Sequence, residues 1–398
     1  MIEGKASLVI DLGNSETRVI TIFGKTQDGK PRQKLSILPN KFGELSDTKL
    51  LTNPDYSAKN SKVFAIGVDG TDNRSYFCSG LLCDREKGTV AIRPSSSIKK
   101  YDSAISMYTL RLAFLEGYKH ISEMTKTAIE FLDIEWNVTV LLPPSDLDLG
   151  AEKIRQNVLG LRHIEFLMPI FKRSLNIKQV KVFPEGFCAF IGAVFEYSAK
   201  IRRNYEEVLK SSTLIIDIGA GTTDLCIIKD VKLVDGSRYS EETGGNQIFQ
   251  KINMELRRTI GKNLPEDSLR VASVKGEIQI GSQIRNIKKE VETAKKAVAT
   301  KLSSAIRNYI ESSDYSIYDI ENILICGGGA EESKVEGMKS LGSYLKEDLK
   351  VWMSYSKFLD IPKEEVIKVV DGMEMTEETT ISPRVLNVRG AAVLSENL

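Results

Sequence analysis

Leu214-Ile-Ile-Asp-Ile-Gly-Ala-Gly-Thr-Thr-Asp-Leu225 decides the reading of this chain. Three apolar residues, Leu214 to Ile216, run into Asp217 and then a glycine-spaced turn that closes on Thr222, Thr223 and Asp224. β-Branched residues leading into glycines describe a buried strand ending in a tight turn. Glycines there allow successive main-chain N–H groups to face one anion. Asp217 falls where the strand stops, and an uncompensated carboxylate at such a place is costly. A metal–phosphate complex would supply the compensating charge.

The same scheme occurs near the start of the chain. Leu8-Val-Ile-Asp-Leu-Gly-Asn-Ser-Glu-Thr-Arg18 runs from an apolar strand through Asp11 and Gly13 to small polar residues, then returns to apolar Val19-Ile-Thr-Ile22. A single Asp-x-Gly is common in plain turns. Two such hairpins suggest two similar halves, each offering a phosphate loop to a shared cleft.

Between these hairpins, Leu35 to about Pro94 is irregular and reads as a small, loop-rich α+β insertion. A helical pattern follows from about Tyr101 to Leu132, with a break expected near Gly117 and one face formed by Ile105, Tyr108, Leu112 and Leu115. Trp136 to Leu142 reads as a buried strand stopped by Pro143-Pro144, Leu149 to Gly160 as a helix, and Val180 to Phe183 as a strand. Pro184-Glu185-Gly186 then opens an apolar helix, with Glu185 in its first turn. That carboxylate either serves the helix terminus locally or is aimed into a cleft to orient water.

After the central hairpin a strand meander covers Ile227 to Val234, and Thr243-Gly244-Gly245-Asn246 leads into an amphipathic helix through Ile248, Ile252 and Leu256. A small segment spans about Leu264 to Ile280, and Ile284 to Glu311 reads as a long helix. On that helix Glu292 lies one turn from Lys295 and Lys296, either as a solvated salt bridge or as contacts to a nucleotide. Ile323-Leu-Ile-Cys-Gly-Gly-Gly-Ala330 is a third strand–glycine turn, and Ser382 to Leu394 reads as a connection and terminal helix.

The chain has 398 residues, 55 basic against 54 acidic, enough for two domains and too balanced for a general affinity for nucleic acid or acidic membrane. The first residues, Met-Ile-Glu-Gly-Lys-Ala, lack the apolar core of a signal peptide. The most apolar stretch, Phe187 to Phe195, is about half the roughly 20 residues that span a bilayer. Five scattered cysteines, with only Cys78 and Cys83 close together, read as reduced thiols in a cytoplasmic protein rather than a zinc site. His120 and His163 lie on helix-like stretches and read as structural.

The ordered set Asp11-Leu-Gly-Asn, Pro184-Glu-Gly, Asp217-Ile-Gly-Ala-Gly-Thr-Thr-Asp, Glu292-x-x-Lys, Gly327-Gly-Gly and Arg389-Gly-Ala-Ala resembles the motifs of the actin-like ATPase superfamily. Within it, the chain looks most like the bacterial plasmid-segregation actins, the ParM and Alp group. The resemblance implies an α/β, ribonuclease H-like actin fold: two similar domains around a nucleotide cleft, each with a smaller inserted subdomain. Domain I would comprise residues 1–200 and 382–398 with an insertion at about 35–98. Domain II would comprise 201–381 with an insertion at about 246–317.

It further implies that Asp11 and Asp217 hold a magnesium ion, largely through water. Gly13, Asn14 and Ser15 would bind phosphate, with Arg18 near the β-phosphate, and Gly219, Ala220, Gly221 and Thr222 would wrap the γ-phosphate. Glu185 would polarise the attacking water. Gly244, Gly245, Glu292, Lys295, Lys296, Gly327, Gly328 and Gly329 would surround the ribose and base of ATP or ADP, with GTP also open. Three functions fit: a filament-forming ATPase with head-to-tail subunits and a DNA-binding adaptor, a cell-shape or division actin, or a small-molecule kinase or chaperone ATPase on the same fold. The first is favoured, because no terminal amphipathic helix, substrate domain or clear general base for a hydroxyl stands out, and no membrane contact is expected.

Overall fold

The computed structural model describes residues 2–26, 29–45, 61–67, 74–80, 90–92, 99–168, 170–261, 263–333, 335–370 and 373–397. The chain divides into two compact units: Met1–Leu142, Asp146–Phe183 and Leu394–Leu398 form the first, and Pro143–Ser145 with Pro184–Val393 form the second. The helix after Pro184 and most of the terminal helix thus pack with the second unit, where the sequence reading assigned them to domain I.

Unit 1 is built on β1 (Ile2–Leu12), β2 (Glu16–Lys25), β3 (Pro31–Pro39), β4 (Phe42–Leu45), β5 (Ser61–Gly67), β6 (Arg74–Gly80), β7 (Val90–Ile92), β8 (Leu132–Leu142), β9 (His163–Met168), β10 (Ile170–Ser174) and β11 (Asn176–Pro184). One sheet has the order β11-β8-β1-β2-β3 and the other β10-β9-β5-β6-β4-β7. β1 is parallel to β8 and antiparallel to β2, so the strand carrying Asp11 is interior. Leu35 to Pro39 belongs to the main sheet through β3 rather than to an insertion, and the described pieces between Phe42 and Ile92 are all strands. The rest of the expected insertion, Cys83 included, lies outside the described residues.

Helix α1 (Ala104–Thr125) runs unbroken through Gly117, and Lys126 in the left-handed region ends it. Gly117 is not a break. A Cβ there would lie 2.9 Å from the Trp136 ring and 3.1 Å from Leu8, so the glycine lets the helix settle onto β1 and β8. Ile105, Tyr108, Leu112 and Leu115 are buried, as their spacing implies. Helix α2 (Leu147–Leu159) follows the Pro143-Pro144 stop. His120 sits on α1, whereas His163 opens β9 on a strand, not a helix.

Unit 2 contains α3 (Glu185–Val194), β12 (Thr213–Ile218), β13 (Thr223–Lys229), β14 (Lys232–Leu233), β15 (Tyr239–Glu241), α4 (Asn246–Ile260), α5 (Glu266–Lys275), β16 (Glu277–Ile280), β17 (Gln283–Asn286), α6 (Lys288–Ser312), β18 (Asn322–Cys326), α7 (Leu341–Trp352), β19 (Lys357–Phe358), β20 (Lys363–Val370), β21 (Met373–Thr380) and α8 (Leu386–Asn397). Its sheet order is β14-β13-β12-β18-β19, with β15 also on β13. Every residue of β12 is buried, as a central strand covered on both faces requires. Leu214, Ile216 and Ile218 point to a core shared with α4, α6 and α7. Ile284 lies on β17, so the long helix starts four residues later than its pattern suggests. The ribbon β20–β21 escaped the sequence reading altogether. No helix among the described residues is long and apolar enough to cross a membrane.

Candidate functional site

The residues that share the second face of β12 explain where chemistry sits in unit 2. Alternation puts Ile215 and Asp217 on that face, and the antiparallel register sets Cys226 opposite Ile215 and Asp224 opposite Asp217. The face is therefore apolar at Ile215 and Cys226 and acidic at its end. Asp217 and Asp224 are both buried. Burial, with Asp224 and then Asp217 adding to it, pushes the Cys226 thiol far up, so it remains protonated. Cys78, Cys188, Cys226 and Cys326 are buried and outside any disulfide.

Two helices cover this face. A Cβ on Gly186 would come 2.5 Å from Cys226 Sγ, so the first turn of α3, with the buried Glu185, lies directly on the strands. Helix α8 crosses α3 glycine to glycine: a Cβ on Gly390 would stand 1.8 Å from the Cys188 carbonyl oxygen, and one on Gly192 2.4 Å from that of Leu386. From α8, Asn387 Nδ2 donates to Asp217 Oδ2 at 2.6 Å. On the other side, a Cβ on Gly327 would meet Asp217 Oδ1 at 2.2 Å, and Gly329 abuts Ile218 in the same way. Gly328 stands open. Sequence reasoning missed Asn387, because an asparagine two residues before Arg389-Gly carries no signal without the helix crossing.

The turn after Asp217 is shaped by its carbonyls. Gly219 N–H donates across the turn to Thr222 O at 2.9 Å. Gly219 O accepts from Gly245 N–H at 3.0 Å, and Ala220 O accepts from Asn246 N–H at 2.8 Å. In a planar trans peptide the following N–H points opposite to the carbonyl. Hence the amides of Ala220 and Gly221 point away from the start of α4, as a pair suited to an anion. Gly244 packs too tightly for a side chain, since a Cβ would be 2.8 Å from both carbonyl oxygens. Gly244 and Gly245 thus brace the turn. Thr223 donates to the Thr243 carbonyl at 2.6 Å, and Thr222 to Asp224 Oδ2 at 3.3 Å.

The α6 residues meet α7. In place of a salt bridge with Lys295 or Lys296, Glu292 accepts from the Tyr344 hydroxyl at 3.0 Å. Lys295 is buried and donates to the Lys339 carbonyl at 3.1 Å, and burial lowers its pKa against the opposing pull of Glu292 and Glu332. The exposed Lys296 holds its ammonium 5.4 Å from the centre of the Tyr344 ring. Burial, then the Glu292 hydrogen bond, raises the Tyr344 hydroxyl to about 12. Gly342, two residues before Tyr344, packs on Ala330 just beyond the glycine turn. Tyr344, a residue distant in sequence, is thus part of the Glu292 cluster.

In unit 1, Asp11 faces Arg18 across the hairpin, and Arg18 donates to Asp11 Oδ2 at 3.0 Å. A Cβ on Gly13 would lie 2.3 Å from the Glu16 carbonyl oxygen, so only glycine fits. The loop is held by Asn40, which the sequence reading overlooked. Its Nδ2 donates to the Gly13 carbonyl, its N–H to the Ser15 carbonyl at 3.0 Å, and its Oδ1 accepts from Thr17 at 2.9 Å. With the Gly13 carbonyl turned to Asn40, the Asn14 N–H points the other way.

Among the described residues no three His, Cys, Asp or Glu side chains converge as a direct metal cage. Magnesium does not need one, since it keeps several waters and takes one or two carboxylates with substrate phosphates. The donor set around Asp217 fits that mode. Two buried carboxylates stand opposite each other, and Asn387 Oδ1 is a buried acceptor without a protein partner.

Residues 215–336 match the family of archaeal actin homologues described as MreB-like, C-terminal. No curated protein sequence matches the chain. Among solved structures, an archaeal actin homologue in complex with ADP aligns with TM-score 0.64 at 14% identity, over 99% of this chain and all of that one. The actin-like protein Alp7A aligns with TM-score 0.67 at 16% identity, over 99% and 96%. A subunit of a 15-stranded ParM filament from Clostridium botulinum aligns with TM-score 0.62 at 18% identity, over 99% and 100%. The chain has the actin-like fold, and residues 215–336 within it carry the signature of archaeal MreB-like actin homologues.

Proposed function

We propose that this protein is a nucleotide-dependent, filament-forming ATPase that moves DNA through an adaptor, as the plasmid-segregation actins do. The carrying observation is the turn after Asp217, whose Ala220 and Gly221 amides point away from their braces beside two buried carboxylates. Such a turn suits a phosphate chain with its cation. On this reading Gly219 to Thr222 of unit 2 take the γ-phosphate, and Gly13, Asn14, Ser15 and Arg18 of unit 1 form a phosphate loop of their own. Asp217 in unit 2 and Asp11 in unit 1 each offer a carboxylate that would hold magnesium, and the ion when bound neutralises phosphate charge. Glu185 orients the attacking water. Glu292, Lys296 and Gly328 approach the ribose and base. Phosphoryl transfer to water asks for positioning and charge stabilisation, and these residues supply both without a covalent nucleophile.

The ADP complex and the filament among the structural neighbours support the nucleotide and polymer parts. The near-zero net charge of +1 favours an adaptor over direct DNA contact. The test is light scattering, electron microscopy and phosphate release with magnesium and ATP, GTP or no nucleotide. Polymers that require a nucleoside triphosphate and release phosphate are expected. Their absence over a wide concentration range would overturn the polymer reading and turn attention to a kinase on this fold.

A further inference from the structure

Asp217 is gripped from two sides within unit 2, and one grip has a hand left over. Asn387 Nδ2 donates to Oδ2 at 2.6 Å, in a buried position. An ionised carboxylate only accepts, so the nitrogen of the Asn387 amide must face Asp217 and its oxygen must face elsewhere. That oxygen is buried and has no protein partner. A buried acceptor left without a partner is costly, so a fold that keeps one in place needs a reason. Asn387 also cannot slide. It sits one turn from Gly390, where α8 meets the Cys188 carbonyl with no room for a methyl group.

The location narrows the reason. Asp224 stands directly opposite Asp217 on the same face, and like charges so placed repel. A neutral amide donor fixes the rotation of Asp217 without bringing a cation of its own, as a lysine or arginine would. The leftover oxygen offers a neutral acceptor beside the carboxylate, which suits a coordinated water.

We infer that Asn387 is a positioning residue for the divalent cation of the nucleotide complex: its amide N–H₂ orients Asp217, and its carbonyl oxygen accepts from a water bound to that cation. The inference rests on the nucleotide reading and adds a residue to it. Partners of this kind, behind a metal's own ligands, typically govern 10–100-fold in metal affinity.

The test measures binding of fluorescent ADP while magnesium is titrated, for the full chain, Asn387→Leu and Val388→Ala. Leucine keeps the γ-branched outline of asparagine with bulkier ends and removes both polar atoms. Val388, buried on the same helix, reports on packing alone. Asn387→Leu is expected to raise the half-saturating magnesium concentration by about 10–100-fold, with ADP affinity in EDTA close to that of the unaltered chain. Val388→Ala is expected to lower the unfolding midpoint and leave the magnesium titration unmoved. Should the leucine variant not fold, Asn387→Ser is held to the same criteria. An unmoved titration in the Asn387 variant, or an equal shift in Val388→Ala, overturns the inference and leaves the nucleotide reading standing. Absence of ADP binding to the unaltered chain overturns both.

Discussion

Gly327 lies against the carboxylate of Asp217 so closely that a Cβ would stand 2.2 Å from Oδ1, and its φ of +83° is in the left-handed region. Two demands thus fall on one residue. The strand β18 must turn sharply, and the turn must leave space for the carboxylate. Gly328 meets neither demand, since a Cβ there has nothing within 4 Å. Gly327→Ala is therefore expected to cost about 2 kcal/mol or more, from left-handed strain plus displacement of Asp217. Gly328→Ala is expected to stay within about 0.5 kcal/mol of the unaltered chain and to weaken nucleotide binding alone. Urea unfolding paired with ADP titration separates the two.

Asn40 does for the first hairpin what the start of α4 does for the second. It turns the Gly13 carbonyl inward and ties down Ser15 and Thr17. Asn40→Ala retains the main-chain bond to Ser15 but leaves the Gly13 carbonyl and Thr17 hydroxyl without these partners. A loss of roughly 2–3 kcal/mol is expected, from one buried and one part-buried side-chain hydrogen bond. A larger relative loss of nucleotide affinity should accompany it, measurable by the same titration, because the loop's amides lose their direction.

Both hairpins were legible from the chain because glycine, aspartate and strand periodicity are local signals. That Asp11 and Asp217 lie at the ends of buried strands, and Glu185 in the first turn of a helix, could be read without a structure for that reason. Their braces could not. Asn40, Asn387 and Tyr344 act through contacts 27, 170 and 52 residues away in sequence, and nothing in their neighbours marks them. Gly117 illustrates the converse failure. A glycine in a helical run reads as a break, but the Trp136 ring opposite it needs the space, and packing outweighs the roughly 1 kcal/mol propensity penalty. The Asp-Gly pair in the sequence between Val370 and Met373 is a local hairpin signal for the β20–β21 ribbon that the sequence reading does not use.

His120 gives the fold a pH dependence that can be isolated. Its ring is buried on α1, with Nε2 2.8 Å from Ser36 Oγ and Nδ1 2.9 Å from Thr21 Oγ1. Burial pushes its pKa down to about 4, with Glu116 pulling upward and Lys34 and Lys119 downward. The unfolded chain binds this proton near the ordinary value of about 6.5. The folded chain does so only near 4, so the associated stability is complete above pH 6.5 and falls as pH is lowered towards 4. Between pH 7.5 and 5 the loss from this group is about 2 kcal/mol. Urea unfolding at the two pH values, compared with His120→Gln, should show that much less pH dependence in the variant.

Glu185 is the first residue of α3 and is buried at 6% exposure, an unusual place for a carboxylate whose only task is to favour a helix terminus. Its neighbour Gly186 seats the helix on Cys226, the strand partner of Ile215, two residues before Asp217. If the carboxylate orients the attacking water, removing it takes away a proton acceptor but none of the phosphate-binding amides. Glu185→Ala should then bind ATP and assemble as the unaltered chain does, while phosphate release slows by about 10²–10⁴-fold. Polymers formed by the variant should persist after free ATP is exhausted. Phosphate release followed in parallel with light scattering checks this. Normal hydrolysis with normal disassembly would assign Glu185 to the helix terminus alone.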